Sequence, residues 1–125
     1  MRLMLVLLVG LCGCQAKPTA SDVCAKLEAQ GVAKGCSVTA ERGGLVGAAK
    51  ERVNFVLAED PEKKGQVLSF GTAGELDATA KAFEAAAVLA GRHRYSSPKA
   101  LIFVQMNAEA SDATGAKAKA VVDGL

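Results

Sequence analysis

The sequence predicts a single α/β domain of the α+β type, in which one open mixed sheet of about four strands is packed by about three helices. Three observations lead to this prediction. Apolar residues recur at helical spacing behind helix-capping residues, alternate in short segments between polar turns, and form one continuous run near the C-terminus. The predicted element order is α-β-β-β-α-β-α, and residues 21–125 are enough chain for one hydrophobic core.

The residue pattern at 19–70 predicts one helix followed by three strands. Thr19 and Asp22 have the spacing of a capping box, and apolar residues then recur at helical spacing as far as Gly31. We therefore expect a first helix at about 21–30. Alternating or β-rich segments predict strands at 36–41, 52–58 and 66–70.

The alternation within these strands predicts how they are oriented and paired. Cys36, Val38 and Ala40 are expected to share the buried face of the first strand. A polar, glycine-containing loop at 59–65 joins the second and third strands, which indicates an antiparallel pair.

The residue pattern at 72–125 predicts a helix, a central strand and a last helix. Thr72 and Glu75 form a capping box, and the helix that they begin is expected to run to Ala90, with Gly91 as its stop. The continuous apolar run at 100–106 is typical of a central strand. The last helix is predicted to begin at Ser111 or Asp112.

The connection between the third strand and this central strand decides the predicted topology. A polar loop is expected at 91–99, so the unit at 66–106 has the order strand, helix, strand. Such a unit is normally a right-handed parallel crossover. The sheet is therefore predicted to be mixed.

The N-terminus carries a separate signal. Arg2 precedes an uncharged apolar segment, and the next charge is Lys17, which is the pattern of a secretory signal sequence. The segment is well short of the roughly 20 residues that a membrane-spanning helix needs.

The motif Leu11-Cys12-Gly13-Cys14 at the end of this segment resembles the lipobox of bacterial lipoproteins. The resemblance implies transfer of diacylglycerol to the Cys14 sulfur, cleavage before Cys14, and acylation of the new amino group, for example by palmitate. Residues 1–13 are then a signal peptide and 14–20 a lipidated tether, which spans at most about 20 Å. The alternatives are a metal or redox pair formed by Cys12 and Cys14, or a buried strand.

The residue that follows the lipidated cysteine bears on localisation. It is Gln15 and not Asp, and the resemblance then implies the periplasmic face of the outer membrane in the cell envelope. The covalent lipid is the only cofactor that we expect.

Cys24 and Cys36 are the cysteines of the predicted domain. In an oxidising envelope compartment such a pair indicates a disulfide, which contributes about 3 kcal/mol by closing a short loop. The alternative is two free buried thiols. A catalytic thiol is disfavoured because no activating base lies nearby in the sequence.

Charge and composition exclude or disfavour several classes of function. The chain has 15 basic and 13 acidic residues without a basic stripe, so nucleic-acid binding is not expected. It has one histidine and no pair of ligands at metal-binding spacing, so no metal site is predicted. No serine or cysteine lies in a nucleophile-elbow pattern, which leaves a small envelope hydrolase as a minor alternative.

One segment could bind an anion. The predicted loop at 91–99 combines cations with hydrogen-bonding side chains that can hold a phosphate or carboxylate, although basic residues are also common after a helix. The candidate residues are Arg92, His93, Arg94, Tyr95 and Lys99.

The leading hypothesis is a non-enzymatic lipoprotein, anchored in the membrane by its lipid, whose domain binds an envelope protein or supports an assembly. The second hypothesis is a module that binds an anionic envelope component or a small ligand through the segment 92–99.

Overall fold

The computed structural model describes residues 17–125, which form one open sheet packed by helices. The predicted α+β fold class is confirmed. The helices in this range are α1 (Ala20–Ala29), α2 (Ala73–Ala85), α3 (Ala87–Ala90) and α4 (Asp112–Asp123), with a 3-10 turn at Gly44–Val46. The strands are β1 (Ala33–Thr39), β2 (Glu51–Leu57), β3 (Lys64–Ser69), β4 (Arg94–Ser97) and β5 (Ile102–Met106).

All neighbouring strands are antiparallel, in the order β1-β2-β3-β5-β4. The predicted parallel crossover is therefore wrong, and so is the mixed sheet. The polar segment 91–99 contains the edge strand β4, which forms a hairpin with β5. Helix α2 thus leads from β3 to β4, and the hairpin places β5 between them, antiparallel to both. A short polar edge strand carries no apolar alternation that sequence patterns could detect.

Helix α1 begins as its sequence predicts. The Thr19 hydroxyl accepts a hydrogen bond from the Asp22 N–H, and the Asp22 carboxylate accepts one from the Thr19 N–H, both at 3.0 Å. This capping box satisfies two N–H groups that the first turn leaves without helical partners. Val23, Cys24 and Leu27 are fully buried against the sheet.

The edge strand β1 differs from its prediction in the side chains that it buries. Its pairing with β2 shifts between Lys34 and Ser37, where Gly35 has a positive φ of 63°. The extra residue of this bulge interrupts the alternation of faces.

After the bulge Val38 pairs with the buried Val53, but it lies on the edge strand and is 70% exposed, and Ala40 is exposed beyond the end of β1. The predicted buried face of Cys36, Val38 and Ala40 is therefore wrong: of the three, Cys36 packs against the core, and it is only partly buried.

The helix that follows β3 is shorter than predicted. Thr72 caps it by accepting a hydrogen bond from the Glu75 N–H at 3.2 Å, and Leu76 and Phe83 are buried as expected. It ends at Ala85, and residues 87–90 form a separate helical turn. The residues at this point are alanines, which carry no helix-stop signal, so an end of the helix is not predicted there.

The two faces of the sheet are covered to different extents. On the face that we call the covered face, α1 and α4 pack on apolar residues of β2, β3 and β5. On the opposite face, the half-open face, α2 and the 3-10 turn pack only around Leu68 and Phe103. The fully buried strand residues of the covered face include Leu57, Val67, Ile102, Val104 and Met106.

Candidate functional site

A row of polar side chains crosses the half-open face at right angles to the strands. The register pairs Asn54 with Gln66, Gln66 with Gln105, and Gln105 with Arg94. Directly paired residues of antiparallel strands point to the same side of the sheet. The row therefore runs over four adjacent strands, beside the apolar patch that α2 covers.

Hydrogen bonds fix the side chains in the middle of this row. Arg52 Nε donates to Gln66 Oε1 at 2.9 Å, and Gln66 Nε2 donates to Gln105 Oε1 at 3.0 Å. Gln105 Nε2 then donates to the Ala90 carbonyl at 2.9 Å. A guanidinium can only donate and a carbonyl can only accept, so the two ends fix the orientation of both amides.

The polar row forms the floor of an open groove of about 490 Å³. Lys64 and Asn107 line one end, where β3 begins and β5 has ended, and Glu41 and Arg52 line the other end. Ala108 lines the groove beside Asn107, and Gly91 packs behind it so closely that a Cβ atom on Gly91 would lie 2.7 Å from the Ala108 Cα.

The histidine and tyrosine of the predicted anion-binding segment lie on the covered face. His93 is buried, and its Nε2–H donates to the Ala110 carbonyl at 2.7 Å. Nδ1 is hydrogen-bonded to the Tyr95 hydroxyl at 3.1 Å. Burial raises the pKa of Tyr95, so its hydroxyl keeps its proton. Both ring nitrogens of His93 are thus hydrogen-bonded: the Nε2 bond joins the start of β4 to the residue before the N-cap of α4, and the Nδ1 bond stays within the β4 segment.

The three cations of that segment do not meet at one point. Arg92 pairs with Asp112 at 2.7 Å on the surface. Arg94 belongs to the opposite face and donates from Nε to the Gly91 carbonyl at 2.7 Å. Lys99 is exposed in the turn beyond the far end of β4. The structure therefore joins His93 to Tyr95 and leaves Arg92, Arg94 and Lys99 apart.

A carboxylate clamp lies next to His93 on the covered face. Glu59 accepts hydrogen bonds from the Ser111 N–H at 2.8 Å, the Ser111 hydroxyl at 2.7 Å and the Thr114 hydroxyl at 2.9 Å. The Ser111 N–H is the strongest of the influences that lower the pKa of Glu59. The clamp fastens the N-terminus of α4 to the loop between β2 and β3.

The predicted disulfide between Cys24 and Cys36 is confirmed, and it joins α1 to β1. The Glu28 carboxylate lies close to both sulfurs, within 4.8 Å. Three such groups could hold a metal ion if the cysteines were thiolates. In the disulfide each sulfur is bonded to the other, so the trio supplies no thiolate ligand.

The groove was not predicted from the sequence. Its residues are polar positions within otherwise apolar strands, such as Gln105 in the run at 100–106, and this interruption is the signal that could have indicated them. Which polar positions meet depends on the strand order, and that order required β4 to be recognised.

No protein-family model matches the chain, and neither a curated protein nor a solved structure matches it. Within residues 17–125, no helix is long and apolar enough to cross a bilayer. The predicted lipobox at 11–14 lies outside the described residues.

Proposed function

We propose that this chain is a lipid-anchored protein of the bacterial cell envelope, whose domain binds a partner and catalyses no reaction. The motif Leu11-Cys12-Gly13-Cys14 carries the proposal. It stands shortly before Thr19, where the capped helix α1 begins. A cleaved and acylated Cys14 would leave a short tether between lipid and domain, and two or more acyl chains give stable membrane attachment.

The position of the tether on the domain supports this arrangement. Lys17 and Pro18 line a small cavity together with Lys50 and Leu101, at the end of the sheet where β2 and β5 begin. That end is therefore the one nearest the membrane in an anchored molecule. The groove lies on a face of the sheet, so it opens to the side and a partner can reach it past the bilayer.

The surroundings of His93 favour a binding role over hydrolysis. A general base needs a nitrogen lone pair directed at the proton that it removes. Nε2 donates its proton to the Ala110 carbonyl, and Nδ1 is hydrogen-bonded to the Tyr95 hydroxyl, so neither nitrogen is directed at a substrate. The ring is also buried, which keeps a substrate away from it.

The lipid anchor is tested by metabolic labelling of bacterial cells with palmitate. We expect label in the wild-type chain and in Cys12→Ala, but none in Cys14→Ala, because the acyl groups are attached at residue 14. The matched Cys12→Ala variant shows whether the loss is specific to the acceptor. Continued labelling of Cys14→Ala would overturn the proposal.

A further inference from the structure

We propose that the groove on the half-open face binds a short, extended peptide by its free C-terminal carboxylate. This inference deepens the proposed function, since it gives the binding domain a ligand class. It depends on which hydrogen-bonding groups the groove uses internally and which it leaves for a ligand.

Two of the three amide oxygens on the groove floor, those of Gln66 and Gln105, accept hydrogen bonds from the protein itself. Gln66 Oε1 accepts from Arg52, and Gln105 Oε1 accepts from Gln66. Asn107 Oδ1 accepts from the Glu109 N–H at 2.9 Å, which leaves the Asn107 amide NH₂ as a donor.

Gln105 Nε2 donates both of its hydrogens to the Ala90 and Met106 carbonyls. The N–H donors left for a ligand are therefore those of Asn54, Asn107 and the second Gln66 hydrogen, together with the Arg52 guanidinium. They suit a ligand rich in oxygen acceptors.

The charges at the two ends give the groove a direction. Lys64 lies at one end beside Asn107; its ammonium is exposed, and the ion pairs found within residues 17–125 do not include it. Glu41 lies at the other end beside Arg52, whose Nη1 donates to the Glu41 main-chain carbonyl at 3.3 Å. A carboxylate fits best at the Lys64 end, and an ammonium group fits best near the Glu41 carboxylate.

The distance between the ends sets the length of the ligand. Lys64 pairs with Val56, four positions along β2 from Arg52. At the rise of an extended strand this separates the two ends by roughly 13 Å. An extended peptide of about four residues spans this distance, with its amino terminus toward Glu41 and its carboxylate toward Lys64. The middle of the peptide then crosses the amide row, where a main-chain carbonyl can accept a hydrogen bond.

The experiment is a titration of the full chain, purified in detergent micelles, with tetra-alanine at millimolar concentration, followed by the NMR signals of backbone and side-chain amides. We expect shifts confined to the groove, including the amide signals of Gln66, Gln105 and Asn107. The C-terminal amide of the same peptide should bind about tenfold more weakly, because it lacks the charged partner of Lys64.

Two variants separate this contact from a general charge effect. Lys64→Gln should weaken binding of the free acid to the level of the peptide amide, and the amide should bind both proteins equally. Lys26→Gln makes the same change on a different surface, at the groove between α1 and α4, and should leave binding unchanged. Equal binding of acid and amide, no shift at the groove, or unchanged binding in Lys64→Gln would overturn the inference.

These measurements are independent of the anchor. The titration uses purified protein, whereas the anchor is tested by acylation of Cys14 in cells. A chain that is labelled but does not bind the peptide would retain the proposed anchor and lose this ligand. A chain that binds the peptide but is not labelled would retain this ligand and lose the proposed anchor.

Discussion

The two faces of the sheet come from the same strands but are built differently. On the covered face, apolar residues of β2, β3 and β5 point inward, and α1 and α4 bury them. On the half-open face, one row contains Leu68 and Phe103, and Phe83 of α2 packs on it with its ring 5.1 Å from that of Phe103. The next row is polar and remains open. One face thus stabilises the domain, while the other has surface available for binding.

The helices on the two faces are also attached differently. Helix α4 is held by residues distant in sequence, since Glu59 binds Ser111 and Thr114, and His93 binds the Ala110 carbonyl. The hydrogen bonds at the N-terminus of α2 are local ones between Thr72 and Glu75. Long-range polar contacts therefore reinforce the covered face, where apolar burial is already extensive.

The largest expected difference between the faces is seen at neighbouring residues of β5. Met106 is fully buried on the covered face, whereas Gln105 belongs to the polar row. Met106→Ala should lower the free energy of unfolding by about 2–5 kcal/mol. Gln105→Ala removes hydrogen bonds at a half-buried site and should cost about 0.5–1.5 kcal/mol. Urea denaturation measures the free energy of unfolding of both variants. Similar losses in the two would contradict the assignment of stability mainly to the covered face and of the proposed binding to the half-open face.

A second comparison concerns one glycine in α4 and one glycine in α2. Gly115 of α4 packs against the His93–Tyr95 pair, and a Cβ atom there would lie 2.7 Å from the Tyr95 hydroxyl. Gly115→Ala should therefore destabilise the domain by about 1–3 kcal/mol, although alanine favours helix. Gly74 of α2 has nothing within 4 Å of such a Cβ atom, so Gly74→Ala should stabilise by about 0.4–1 kcal/mol. Thermal unfolding gives both signs, and stabilisation by Gly115→Ala would show that α4 is loosely packed.

Local sequence signals were sufficient for most individual elements of this fold. The capping box of Thr19 and Asp22 and the N-cap at Ser111 are recognisable because a cap depends on residues within one helical turn. The disulfide could be predicted because an isolated cysteine pair in an oxidising compartment has few alternatives. Strands β2 and β5 were recognisable from their apolar side chains.

The topology and the groove depended on information that is not local. Strand β4 is held in the sheet by pairing with β5, not by its own residues, and without it β5 was assigned the wrong direction. Val38 pairs with the buried Val53 but is exposed because β1 is the edge strand, which alternation within the segment does not reveal. Because the groove combines residues of β2, β3 and β5, it follows only from the correct strand order and register.

The smallest expected effect is a dependence of stability on pH that arises on the covered face. Hydrogen bonds from Ser111 and Thr114 hold the pKa of Glu59 below its ordinary value of 4.5 in the folded protein. The unfolded chain therefore binds this proton first as the pH falls. The stabilisation is fully present above the unfolded pKa and is lost as the pH falls through the lower, folded one.

Glu59→Gln removes the titrating group from this clamp. The variant should be less stable than wild type at neutral pH, because one charged acceptor of the Ser111 and Thr114 hydrogen bonds is lost. Its stability should also fall less steeply than that of wild type at pH values below about 4.5. The check is a series of urea midpoints measured from neutral to acidic pH. Glu62→Gln, an exposed carboxylate in the same loop, is the matched control and should leave the slope unchanged. If Glu59→Gln retains the full acid dependence of wild type, the clamp does not distinguish the covered face from the half-open one.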